Sequence, residues 1–127
     1  MSPESVRDDL AAQGYIADVG LATAVFLARE LGRPLMLEGD AGVGKTELAK
    51  AIAASTGGEL IRLQCYEGID ASQAVYDWDY TRQLLHLRAA EATGAMVGRT
   101  TESVEAELYD ERFLVRRAVL RAIDHRD

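Results

Sequence analysis

Apolar positions recur at helical spacing through most of this chain, and glycines punctuate the pattern. Ser2-Pro3-Glu4 opens a first helical stretch, with proline at an early helical position and an acid in the first turn. It runs to about Gln13, and Gly14 ends it. After the short connector Tyr15-Ile16, Asp18 can cap a second helix. There Leu21, Val25, Ala28 and Leu31 fall at i, i+4, i+7 and i+10 and form one apolar face. Gly32 stops that helix. Pro34-Leu35-Met36-Leu37 is then a short apolar run that reads as a buried strand. Glu47 to Ala54 is a strong helix former inside a helix predicted from about Lys45 to Ser55, with Gly57-Gly58 as its terminator. Glu59 to Cys65 reads as a second strand with partial alternation. A strand–helix–strand unit of this kind is parallel and right-handed in nearly all proteins.

Beyond Cys65 the pattern is less regular. Tyr66-Glu67-Gly68-Ile69 is a loop, and Asp70 can cap a short helix from Ala71 to about Tyr76. A longer helix is expected from about Thr81 to Ala92, ended by Gly94, and Met96 to Thr100 is a glycine-containing linker. Glu102 to about Ile123 reads as a last helical stretch, with a break near Asp110 as one option. Val115, Val119 and Ala122 would form its apolar stripe, with Leu108 one heptad upstream. The chain thus divides into a helical lead-in (1–33), a strand–loop–helix segment (34–57) and the remainder (58–127). It has no internal repeat and no low-complexity segment.

The candidate chemistry lies between the first predicted strand and the helix after it. Gly39-Asp40-Ala41-Gly42-Val43-Gly44-Lys45-Thr46 fits G-x-x-x-x-G-K-[ST] without a mismatch, and strand, loop and helix are the context that gives this pattern meaning. A triphosphate presents closely spaced anionic oxygens. Consecutive backbone N–H groups turned into one concavity bind such oxygens, and the N-terminus of the following helix adds unpaired donors and a positive dipole end. The Lys45 ammonium can reach the β- and γ-phosphates, and the Thr46 hydroxyl can complete the oxygen shell of Mg²⁺. A ligand-free glycine turn would explain the glycines but not Lys45-Thr46 opening a helix. The dinucleotide pattern G-x-G-x-x-G fails because position 47 is Glu.

Composition narrows the partners. The chain has 127 residues, 48% hydrophobic and 28% charged, which suits one soluble domain. Its net charge of −7 argues against nonspecific nucleic-acid binding. The single cysteine, Cys65, excludes an intrachain disulfide and fits a reducing compartment. Its place beside a predicted strand reads as a small buried side chain, with a reactive thiol as the alternative. No apolar run approaches the roughly 18 residues of a membrane span, and the acidic N-terminus lacks a signal-peptide pattern, so a cytoplasmic location is expected.

Three other features could carry function. Tyr66, Tyr76, Trp78 and Tyr80 crowd one window, either as a contact surface or as a local mini-core around the Asp70 helix. Arg112, Arg116, Arg117 and Arg121 pair at i, i+4, as a solvated basic helix face or as a subunit contact or charge-stabilising set. His86 and His125 have no partner at metal-ligand spacing and receive no role. An acid that would hold Mg²⁺ or polarise water should end an apolar strand. The acid pairs Asp8-Asp9 and Asp110-Glu111 do not follow such a strand, so no catalytic acid is assigned.

The string Leu37-Glu38-Gly39-Asp40-Ala41-Gly42-Val43-Gly44-Lys45-Thr46-Glu47-Leu48-Ala49-Lys50 resembles the MoxR family of AAA+ ATPases. It is most similar to the CoxD-like branch linked to carbon monoxide dehydrogenase maturation. The resemblance continues through Gly14-Tyr15-Ile16-Ala17-Asp18, Leu63 to Asp70, Tyr80 to His86, and Arg112 to Arg117, and so covers nearly the whole chain. It implies a three-layer α/β P-loop core with a parallel sheet. It also implies ATP and Mg²⁺ as cofactors, and a nucleotide set of Gly39 to Glu47 with Thr46 on the metal. By the same resemblance Ile16 and Ala17 line the adenine pocket. Such proteins are ATP-driven remodelling machines, typically ring-shaped homo-oligomers. They often work with a partner bearing a von Willebrand factor A domain and with a client enzyme. The segment Tyr66 to Tyr80 matches the region facing the ring interior or the substrate.

The family's acid-bearing strand, sensor residues, arginine finger and lid lie beyond the matched part. The chain is therefore expected to be the N-terminal part of one AAA+ domain, whether a truncation, half of a split protein or an expression fragment. Its sheet would be incomplete on the C-terminal side, and it would bind ATP without hydrolysing it. The alternatives are a small P-loop kinase using the arginines from Arg112 to Arg121, or a non-catalytic nucleotide-binding interaction module.

Overall fold

The structure, a computed structural model, describes residues 1–125. The chain forms two compact units, one from Met1 to Leu60 and the other from Ile61 onward.

Three helices build the first unit. Helix α1 (Pro3–Ala12) opens with a capping box, in which the Ser2 hydroxyl accepts from Ser5 N and the Ser5 hydroxyl accepts from Ser2 N. Helix α2 (Val19–Glu30) starts at Asp18, whose Oδ1 accepts from Leu21 N at 2.7 Å. Helix α3 (Lys45–Thr56) ends at Gly57 in the left-handed conformation. All three turn small or branched apolar side chains inward. Val6 and Leu10, Ala22 and Val25, and Leu48 and Ala51 are buried together with Ala17 from the connector. Tyr15, Leu21, Phe26, Leu37 and Ile52 pack against this core in part. The helix after the glycine loop is thus anchored through Leu48, which is 1% exposed.

The second unit is built on local caps. Asp70 caps α4 (Ala71–Ala74), Asp79 caps α5 (Tyr80–Ala92) and Thr100 caps α6 (Thr101–Leu108). Strand β1 (Tyr76–Trp78) pairs antiparallel with β2 (Leu114–Arg116), Tyr76 opposite Arg116 and Trp78 opposite Leu114. A 3-10 turn (Glu111–Phe113) leads into β2, and α7 (Ala118–Asp124) follows it. Asp79 N to Phe113 O (2.8 Å) and Arg117 N to Val75 O (2.9 Å) extend the pairing at both ends. The interior is thin: Phe113 and Gln83 are buried, and the Gln83 amide donates to the Leu108 carbonyl at 2.6 Å.

Several expectations are corrected here. No parallel sheet forms among the described residues; the only pairing there is the antiparallel one between β1 and β2. Residues 34–38 and 59–65 are not strands, because a strand exists only through a ladder partner and neither segment has one. Much of their apolar surface stays in water, with Met36 80% and Leu60 45% exposed, although Leu37 packs in part against the core. The helix expected to reach Tyr76 stops at Ala74 and gives way to β1. The last helical stretch is divided, since Asp110 adopts an extended backbone to cap the 3-10 turn and Leu114-Val115-Arg116 pairs as a strand. Val115 therefore shares no helical stripe with Val119 and Ala122. Among the described residues no helix is long and apolar enough to cross a membrane.

Candidate functional site

The loop from Gly39 to Gly44 carries the candidate site, and α3 holds its end in place. Gly44 is the N-cap of α3 at φ +98°, a left-handed conformation that suits glycine. A Cβ there would lie 3.6 Å from the Tyr15 ring, so the connector aromatic closes directly over the end of the loop. Gly42 is also left-handed, at φ +83°, with open space where a Cβ would point.

No backbone N–H from Asp40 to Glu47 donates a hydrogen bond of normal geometry among the described residues. The first amide of this region with an acceptor is Leu48 N, bonded to Gly44 O at 3.1 Å. A run of unspent donors at a helix N-terminus is an anion site by its own physics. The Lys45 ammonium lies inside the turn and donates to the carbonyls of Gly39 and Asp40, both at 2.5 Å. The positive charge therefore sits at the loop rather than out in solvent. Thr46 is exposed, and its hydroxyl makes no hydrogen bond among the described residues. Glu47 is turned along the helix toward Lys50 at 2.5 Å, an exposed i, i+3 ion pair.

Two hollows meet at this loop. One, of about 430 Å³, is lined by Ala41, Gly42, Gly44, Lys45, Thr46 and Glu47. The other, of about 440 Å³, is lined among others by Tyr15, Ile16, Gly44, Glu47 and Lys50. Gly44 and Glu47 belong to both, so a ligand with an anionic end and a flat apolar end finds complementary surfaces side by side. Ile16 is 94% exposed at the second hollow, whereas Ala17 is 5% exposed and packs in the core. The residues present fit a triphosphate with its divalent cation: free amides, one ammonium, one free hydroxyl, and a backbone that a side chain at position 44 would strain.

The remaining sequence candidates lie in the second unit. Trp78 meets Tyr76 edge-on at 6.1 Å and Tyr109 at 5.0 Å, while Tyr66 and Tyr80 are exposed. The aromatic window thus packs locally only around Trp78, and Tyr76 is itself 45% exposed. The four arginines do not share a helix face. Arg112 lies in the 3-10 turn and bonds Glu107 at 3.2 Å. Arg116 lies in β2 and bonds Asp124 at 2.8 Å, and Arg117 faces Asp77 at 3.8 Å. Cys65 is exposed rather than buried, because the strand expected to cover it does not form.

Sequence reasoning missed Glu107. It accepts from His86 Nε2 at 2.6 Å and pairs with Arg99 and Arg112. The hydrogen bond from Arg99, then that from His86, holds its carboxyl down at about 2. Nothing in the local pattern marks this residue, since its partners come from three other segments. Among the described residues no cluster of histidine, cysteine or acid could hold a metal ion.

A family model described as an AAA domain of the dynein-related subfamily matches residues 34–121. No curated protein and no solved structure matches the chain.

Proposed function

We propose a function from one premise: the chain belongs to the AAA domain family, dynein-related subfamily. It binds ATP with Mg²⁺ at the loop Gly39 to Thr46. The observation that carries this reading is the unbroken run of unspent backbone amides from Asp40 to Glu47, with Lys45 and the free Thr46 hydroxyl beside it. In this assignment the amides of Asp40 to Gly44 cradle the β-phosphate. Lys45 exchanges its two carbonyl acceptors for phosphate oxygens, and Thr46 completes the metal's shell. Tyr15 and Ile16 bound the adenine, and Ala17 supports them from the core. Mg²⁺ supplies charge neutralisation on the phosphate oxygens.

The finer reading is a MoxR-type machine of the CoxD-like branch. The parent protein couples hydrolysis to client remodelling or metalloenzyme maturation, as a ring, with a partner bearing a von Willebrand factor A domain. What supports it is the set of matching segments Gly14–Asp18, Leu37–Lys50, Leu63–Asp70, Tyr80–His86 and Arg112–Arg117. In that reading residues 34–37 and 59–65 are parallel strands of a three-layer core, which requires a further strand to pair them. This chain then binds without turnover, since neither acid pair, Asp8-Asp9 nor Asp110-Glu111, follows an apolar strand.

The test is a titration with a fluorescent ATP analogue in Mg²⁺. Lys45→Ala is expected to weaken binding by about tenfold or more, the value of one charge-assisted hydrogen bond. Equal affinity overturns the assignment. Transfer of labelled γ-phosphate to a small acceptor would replace the AAA reading with that of a kinase.

A further inference from the structure

A second charged hollow, of about 360 Å³, lies wholly within the second unit, lined by Arg82, Leu85, His86, Arg112 and Phe113. Its construction differs from that of a loose basic surface. Phe113 is 3% exposed, and the two guanidinium carbons stand 5.7 Å (Arg82) and 5.1 Å (Arg112) from its ring centroid. The His86 ring meets the same phenyl edge-on at 5.5 Å. The buried ring is thus a fixed post that orients three nitrogen-bearing side chains around one opening.

Most of their donors are unspent. A guanidinium carries five N–H donors. Arg82 uses one on the Arg112 carbonyl at 2.8 Å, and Arg112 uses one on Glu107 at 3.2 Å. Among the described residues Glu107 is the one carboxylate that bonds the side chains of Arg99 and Arg112. The other nearby acids are directed elsewhere. Asp79 and Asp110 accept from the backbone amides of Arg82 and Arg112, both at 3.1 Å, and Glu111 faces Arg116 at 3.9 Å.

We propose that this hollow recognises a carboxylate side chain on an acidic, leucine-rich segment of a partner protein. A planar carboxylate matches the fork of a guanidinium. Leu85, 61% exposed on the wall, and Leu84, 52% exposed next to it, offer apolar contact beside the charge. The exposed leucines beside the charge favour a carboxylate flanked by apolar side chains over a phosphate backbone. The hollow belongs to the second unit, and the proposal does not depend on the assignment of the nucleotide loop.

The test uses two synthetic peptides, acetyl-Leu-Glu-Leu-Glu-Leu-amide and its glutamine counterpart, against the whole chain. Calorimetry and the NMR signals of the arginine Nε–H groups provide the readouts. The glutamate peptide is expected to bind and to shift Arg82 and Arg112. Binding should weaken by about tenfold in Arg82→Gln, the loss of one charge-assisted contact. Leu85→Glu, an exposed position without a side-chain hydrogen bond, should abolish it while Trp78 fluorescence stays unchanged. Lys45→Ala should leave it intact. Equal binding of the two peptides, unchanged binding in Leu85→Glu, or no binding at millimolar peptide would overturn the proposal. So would a single-stranded RNA that shifts both arginines while the peptide does not.

Discussion

Gly44→Ala probes the site where the loop enters α3. The residue sits at φ +98° and ψ 16°, as the N-cap of α3. An alanine Cβ would meet the Tyr15 ring at 3.6 Å, an ordinary van der Waals separation, so steric conflict contributes little. The cost is therefore the left-handed backbone of an L-residue, about 1–2 kcal/mol. If the loop keeps its shape, that cost appears in folding and shifts the folded-to-unfolded ratio by roughly five- to thirtyfold. If the loop relaxes instead, the cost appears as weaker nucleotide binding of similar size, because the amides no longer converge. The two readouts must together account for the strain. Gly42→Ala, at φ +83° with no atom within 4 Å of its Cβ, should carry a similar backbone cost without the Tyr15 contact. Gly44→Asn should recover part of the loss, since asparagine tolerates this conformation. The single tryptophan, Trp78, belongs to the second unit, so its fluorescence does not follow unfolding of the first. Urea titration should be followed by far-UV dichroism or by exchange of the Leu48 amide. Gly44→Ala with unchanged stability and unchanged ATP affinity would refute the loop geometry.

Three further outcomes follow from the packing and the charges. Leu48→Ala, at a position 1% exposed, should cost about 2–5 kcal/mol by thermal dichroism, whereas Leu84→Ala, 52% exposed, should stay within about 0.5 kcal/mol. Asp18→Ala removes the acceptor for Leu21 N and should cost about 0.5–2 kcal/mol in a urea melt, with Asp18→Asn close to wild type. Glu107 has its folded pKa lowered from 4.5 to about 2, so the unfolded chain takes up the proton first. Its contribution is complete above about pH 4.5 and is lost as pH falls toward 2. Trp78, which contacts Tyr109 at the end of α6, should report the transition, and Glu107→Gln should flatten it.

What the sequence reveals depends on how local the cause is. Helix boundaries set by caps are written in neighbouring residues. Asp18 over Leu21, Asp70 over Ser72 and Gly57 in the left-handed conformation therefore lie where the pattern places them. The phosphate loop is local in the same sense: glycines, lysine and threonine within one turn generate the free amides without help from distant segments. Strands are different. Leu35-Met36-Leu37 and Leu60-Ile61-Arg62-Leu63 have strand composition, but a ladder is a property of two segments, and no partner reaches either one among the described residues. Conversely, Tyr76–Trp78 and Leu114–Arg116 carry weak strand signals and pair because Asp79 and Phe113 bring their ends together. The arginine row fails as a helix face for the same reason. Asp110 spends its carboxylate on a turn, and the chain that looked continuous bends back on itself. That bend places Arg112 against Phe113 and Glu107, and Arg82 and His86 come to the same ring from α5. The charged hollow exists only through contacts spanning 20 to 30 residues, such as His86 to Glu107 and Arg82 to Arg112, so no reading of adjacent residues could have assembled it.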